Sequence, residues 1–122
     1  MATSSLDKVR SICADLPECE LTGDQHHKLT VRGKTLGWHT VDHHGHGRVA
    51  LSIKAAKGEA EVLVASDATR FFLPPYVARH GYVGVYLDVG PVDWDEIREF
   101  ITDAYRLVAP KALVKELDRS PT

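Results

Sequence analysis

The chain is 122 residues long, 43% apolar by residue and −2 in net charge. That length and apolar content suit one domain with one core, and exclude a disordered chain. No window reaches the ~18 consecutive apolar residues of a membrane span, and a pI near 6.4 excludes a protein that holds nucleic acid by bulk positive charge.

Residues 1–5 are polar and lead straight into a helical pattern, unlike a signal peptide, so a cytoplasmic protein is expected. Leu6, Val9, Ile12 with Cys13, and Leu16 recur at helical spacing. Ser4 is placed to cap this helix, with Asp7 three residues on as a weaker capping box, and Pro17 stops it. Cys13 and Cys19 make neither a C-x-x-C pair nor a disulfide framework. Both are expected to be reduced, with Cys13 a small core residue.

From residue 20 to residue 54 the period becomes two. Leu29 and Val31 alternate with polar neighbours, Arg32-Gly33-Lys34 reads as a turn, and Leu36 and Trp38 are expected to share one face of the next strand. Residues 42–47, Asp-His-His-Gly-His-Gly, read as a loop. Val49, Leu51 and Ile53 then alternate with Arg48, Ala50, Ser52 and Lys54. The pattern predicts an antiparallel meander with one apolar face. Its other face carries Arg48 and Lys54, with Lys28 as a further candidate, and one tip carries Arg32 and Lys34.

Residues 58–66 read both ways, since Val62, Leu63 and Val64 favour a strand and Glu59, Ala60, Glu61 and Ala65 a helix. A short strand over 71–73 is broken by Pro74-Pro75, and residues 76–80 allow one helical turn closed by Gly81. Val83, Val85, Leu87 and Val89 alternate with Tyr82, Gly84, Tyr86 and Asp88 as a half-buried strand. Asp93 caps the last main helix, Glu96 completes a capping box, and Val92 staples against Ile97. Trp94, Ile97, Ile101, Ala104 and Val108 form its apolar stripe, with Tyr105 at the edge. Pro110 ends it or opens a tail helix running to about Asp118, and residues 120–122 read as loose. This order predicts an α+β two-layer sandwich, helices on one face of an antiparallel sheet, as a single domain over residues 1–122.

Net charge hides an asymmetry: −3 over residues 1–25, +4 over 26–80 and −3 over 81–122, with all seven histidines in the middle block. Lys28, Arg32, Lys34, Arg48, Lys54 and Lys57 are the candidate contacts to nucleic-acid phosphates. The alternative is a solvated sheet face. His43 or His44 with His46 could chelate a divalent ion, with Asp42 behind them and His27 or His39 brought near by neighbouring strands. Adventitious affinity of a polar loop is the better reading, so no metal or cofactor is expected. Protonation of these histidines would add positive charge to the block below pH ~6.5. No phosphate loop, nucleophile elbow or H-E-x-x-H is present, so no catalytic residue is assigned and no enzyme is expected.

Several short motifs occur in a fixed order: Leu16-Pro17, Pro75-Tyr76, Gly81-Tyr82-Val83, Asp88, and Tyr105-Arg106-Leu107-Val108 with Lys111. Together they resemble the MmcQ/YjbR family over roughly residues 5–113. Tyr82 stands where that pattern usually has Trp, and Ala104 where Ser often precedes the Tyr; both are packing positions. The resemblance implies a helix over residues 58–66 and a fold like that of type III secretion chaperones. Its double-wing arrangement is the basis of a DNA-binding label, which implies DNA as the partner. A protein-interaction module, including a homodimer, is the alternative, because fold alone does not fix function.

Overall fold

The period-two residues build four consecutive strands: β1 (Cys19–Thr22), β2 (His27–Val31), β3 (Lys34–Val41) and β4 (Val49–Lys54). Helix α1 (Ser5–Ala14) precedes them. After them come α2 (Glu59–Ser66), β5 (Phe71–Phe72), a 3-10 turn (Ala78–His80), β6 (Tyr82–Tyr86), α3 (Trp94–Val108) and α4 (Lys111–Arg119). The structure, a computed structural model, describes residues 5–23, 26–41, 49–74, 78–88 and 91–119. The expected Ser4 cap lies outside them. One six-stranded sheet forms in the order β1-β2-β3-β4-β6-β5, antiparallel at every pairing.

Local chemistry explains most boundaries. Val31 pairs with Lys34, so Arg32-Gly33 is a two-residue loop with φ of 49° and 80°. Two positive φ values give the primed turn whose twist suits a hairpin. Glycine adopts that conformation freely, whereas Arg32 is fixed by Glu18, which accepts from Nε at 3.2 Å and from Nη2 at 3.0 Å. The ambiguous stretch is a helix. A strand would bury Val62 with Val64, yet Val62 is exposed and the segment rests on its buried Ala60. Asp93 caps α3 as expected, accepting from the backbone N–H groups of Asp95 and Glu96 at 3.1 and 3.2 Å. The capping box is not completed, because Glu96 turns its carboxylate to Arg70.

The four α-helices among the described residues contribute to one buried cluster against one face of the sheet. Val9, Ile12 and Leu16 come from α1 and its exit, Ala60 from α2, Ile97, Ile101 and Ala104 from α3, and Leu113 from α4. They meet Leu29, Val31, Leu51, Ile53, Val83 and Val85 of the sheet. Each Val, Leu or Ile among them, fully buried, contributes about 1.5–3 kcal/mol. Tyr105 lies at the centre of this layer and not at the edge of the α3 stripe, being wholly buried. Its hydroxyl donates to the Pro17 carbonyl at 2.7 Å, which ties α3 to the turn after α1. A phenol can occupy a core only with such a partner.

The expected facing of Trp38 is overturned. The register of β2 and β3 shifts between Leu29 and Thr30, where Leu29 pairs with Gly37 and Thr30 with Thr35. Leu36 is the extra residue of this bulge and points into the core, fully buried. Gly37 and His39 then take the inward positions opposite Ile53 and Leu51, and Trp38 turns outward opposite Ser52. A single inserted residue reverses the facing of everything beyond it.

Candidate functional site

The face of the sheet away from the helices carries one continuous row across five strands. Lys28 pairs with Trp38, Trp38 with Ser52, Ser52 with Gly84, and Gly84 with Phe72. Cross-strand partners share a face, so these side chains stand side by side. Tyr82 and Tyr86 flank Gly84 on β6, opposite Lys54 and Ala50. The result is two aromatic pairs. The Trp38 and Tyr82 rings lie 5.2 Å apart, and those of Phe72 and Tyr86 stack at 4.6 Å. Phe72 lies directly over Gly84, where an added Cβ would come within 2.2 Å of its ring. Ala50 and Ser52 are buried among these larger neighbours, while Trp38, Phe72 and Tyr86 remain half-buried.

Two of the expected cations belong to this face. Lys28 is exposed at one end of the row. Lys54 stands 5.2 Å above the Tyr82 ring and donates to the His80 carbonyl. One carboxylate, Glu20 on edge strand β1, shares the face through its pairing with Thr30. Three of the other four cations are dispersed. Arg32 is engaged by Glu18, Lys34 pairs with inward-facing Val31 and so sits on the helix side, and Lys57 lies in the exposed turn before α2. Arg48 lies outside the described residues, as do Asp42, His43, His44 and His46. The expected six-cation patch is therefore not assembled among the described residues; an aromatic face bearing two lysines is.

Two histidines come together as the strand pairing allows. His27 pairs with His39, and their rings meet edge to face at 6.4 Å. His39 is buried, with Nε2 2.9 Å from the Ser5 hydroxyl. The Nδ1 atoms of both rings are buried without a hydrogen-bond partner. No group of three or more metal-ligating side chains occurs among the described residues.

Burial, and then the like charge of His27, push the His39 pKa below the ordinary histidine value. On acidification the unfolded chain binds this proton first. The contribution to stability is therefore complete above pH ~6.5 and is lost progressively as pH falls below it. His39→Gln should flatten this acid limb. The urea midpoint is expected to drop less between pH ~7.5 and ~5.5 in the variant than in the parent, and an equal drop would assign the limb to other groups.

The aromatic residues were only partly legible in the sequence. Tyr82 and Tyr86 do fall on the outward alternation of β6, but that signal is shared with any strand whose outer face is partly covered. Phe72 lies in a two-residue strand too short to show alternation, and the bulge conceals the facing of Trp38.

A sheet with the described α-helices on one side and an aromatic outer face defines the class: an α+β domain. Protein DR2400 of Deinococcus radiodurans, solved as a crystal structure and assigned to domain family DUF419, shares this fold. Its TM-score is 0.73 at 23% identity, over 93% of this chain and 87% of that one. The family model for YjbR matches residues 14–107. The chain belongs to the YjbR family. No curated protein matches it. No helix among the described residues is long and apolar enough to cross a membrane.

Proposed function

We propose that this YjbR domain is a non-enzymatic, cytoplasmic nucleic-acid-binding module that takes a single strand, DNA first among the candidates, on the outer face of its sheet. The observation that carries this reading is the row Lys28–Trp38–Ser52–Gly84–Phe72 on the side that the helices leave open. An aromatic sheet face can receive unstacked bases, as other sheet-based single-strand binders do. Trp38 and the Phe72–Tyr86 pair are the stacking surfaces in this reading. Lys28 and Lys54 lie two strands and two residues apart, about 12 Å, and meet the backbone.

Charge then plays a small part. Two phosphate contacts to a single strand give a log–log salt slope of about −1.4, much shallower than six contacts to a duplex. Fluorescence anisotropy with a labelled strand of about 20 nucleotides, and with its duplex, between roughly 50 and 200 mM salt tests this. Preference for the single strand with the shallow slope is the expected result. Preference for duplex with a slope steeper than about −4 would transfer the role to the dispersed cations. Absence of binding to either at the lowest salt would end the nucleic-acid reading.

A further inference from the structure

The two cysteines, separated in sequence by a helix end and a proline, meet in the fold. Three successive turns bring them together: Asp15 N–H donates to Ile12, Leu16 N–H to Cys13, and Cys19 N–H to Leu16, each at 3.1 Å. Glu18 completes the reversal with a φ of 56°. The Cys13 and Cys19 sulfurs end 2.7 Å apart, both as free thiols. That is far inside an ordinary non-bonded sulfur contact and about 0.7 Å from the bonded distance. No other cysteine exists to compete for either partner.

We propose that Cys13 and Cys19 are a reversible redox pair that closes to an intramolecular disulfide. The chemistry balances as a two-electron exchange with a small disulfide such as oxidised glutathione. One proton leaves the pair, and the half-exposed Cys19 sulfur attacks the small disulfide, breaking its S–S bond and releasing one thiolate. The Cys13 sulfur then attacks Cys19 in the mixed disulfide. It forms the Cys13–Cys19 bond and expels the second thiolate, which leaves with the remaining proton. Both cysteines are oxidised, and one small disulfide is reduced to two thiols. Proximity favours the second step over uptake of a second small thiol.

The electrostatics make Cys13 the first thiol to ionise, whereas the more exposed Cys19 is the sulfur that reaches a small disulfide. The Cys19 thiol beside it and then Arg10 lower the Cys13 pKa against the opposing pull of burial, whereas a thiolate at Cys13 pushes the Cys19 pKa strongly upward. Loss of one proton therefore opposes loss of the second, so the pair reacts through a single thiolate, and the S–H···S contact lets the proton pass from Cys19 to Cys13 as Cys19 attacks. The ring it closes spans the turn that presents Pro17 to Tyr105 and Glu18 to Arg32. Oxidation would thus pin the segment joining α1, β1, α3 and the β2–β3 hairpin. This inference is independent of nucleic-acid binding.

The test equilibrates the full chain in glutathione buffers of graded ratio, from the reduced and the oxidised side, followed by acid quench, maleimide labelling in denaturant and intact-mass measurement. The expected result is a monomer two hydrogens lighter that carries no label, is restored by dithiothreitol, melts above the reduced form and never forms in Cys13→Ser or Cys19→Ser. Retention of both labels at every ratio, addition of two glutathiones, or covalent dimers in place of the cyclised monomer would each overturn the assignment. Circular dichroism of the two variants confirms that they are folded.

Discussion

Trp38→Ala is expected to weaken single-strand binding by roughly five- to 150-fold, the loss of one base–aromatic stack worth about 1–3 kcal/mol. Trp38 is half-buried on the outer face, in contact with Tyr82, so the substitution also removes some packing. Trp38→Phe separates the two effects, since a smaller ring still offers a face to a base. Its affinity should fall only a few-fold. Titration of both variants by anisotropy, alongside circular dichroism and a urea midpoint, decides the matter. A folded Trp38→Ala protein with parental affinity would remove the aromatic face from the binding site.

Gly37→Ala should be the most destabilising small substitution in the sheet. The new Cβ would fall 2.1 Å from the Ser52 carbonyl oxygen and 3.0 Å from the Ile53 Cα, both backbone atoms of the neighbouring strand. A flexible side chain can move aside, but a paired backbone cannot without breaking the β3–β4 ladder. Overpacking of this kind costs about 1–3 kcal/mol and occasionally more, and a backbone clash belongs at the upper end. A fall of roughly 10 °C in melting temperature is expected. Gly37 also follows the bulge that turns Trp38 outward, so the variant should lose nucleic-acid affinity together with stability. Scanning calorimetry showing an unchanged melting temperature would mean that β3 and β4 do not approach as closely as described. The contrast with Gly84 is informative. There the obstruction is the Phe72 ring, which can swing away, so Gly84→Ala should disturb the aromatic face more than the fold.

Periodicity and local capping determined much of this protein. The alternation of Val49, Leu51 and Ile53, and of Val83 and Val85, fixed which side of β4 and β6 enters the core, because strand side chains alternate whatever lies beside them. Pro17, Gly81 and Asp93 set boundaries through properties of single residues: a missing donor, a tolerated positive φ and a short acceptor side chain. The family motifs, spread from Leu16 to Lys111, pointed to the fold that the sheet order realises.

The tertiary structure decided what depends on partners distant in sequence. Arg32 read as a free cation until Glu18 was seen to hold it, and Tyr105 read as a rim residue until the Pro17 carbonyl gave its hydroxyl a buried partner. Cys13 and Cys19 read as unrelated because spacing alone does not show how a chain reverses. Most consequential is the bulge between β2 and β3. Leu36 and Trp38 obey the alternation of an unbroken strand, and nothing local says that one residue is extra. Register is a property of two strands together, so only their pairing could move Trp38 from the core to the open face where the aromatic row is built.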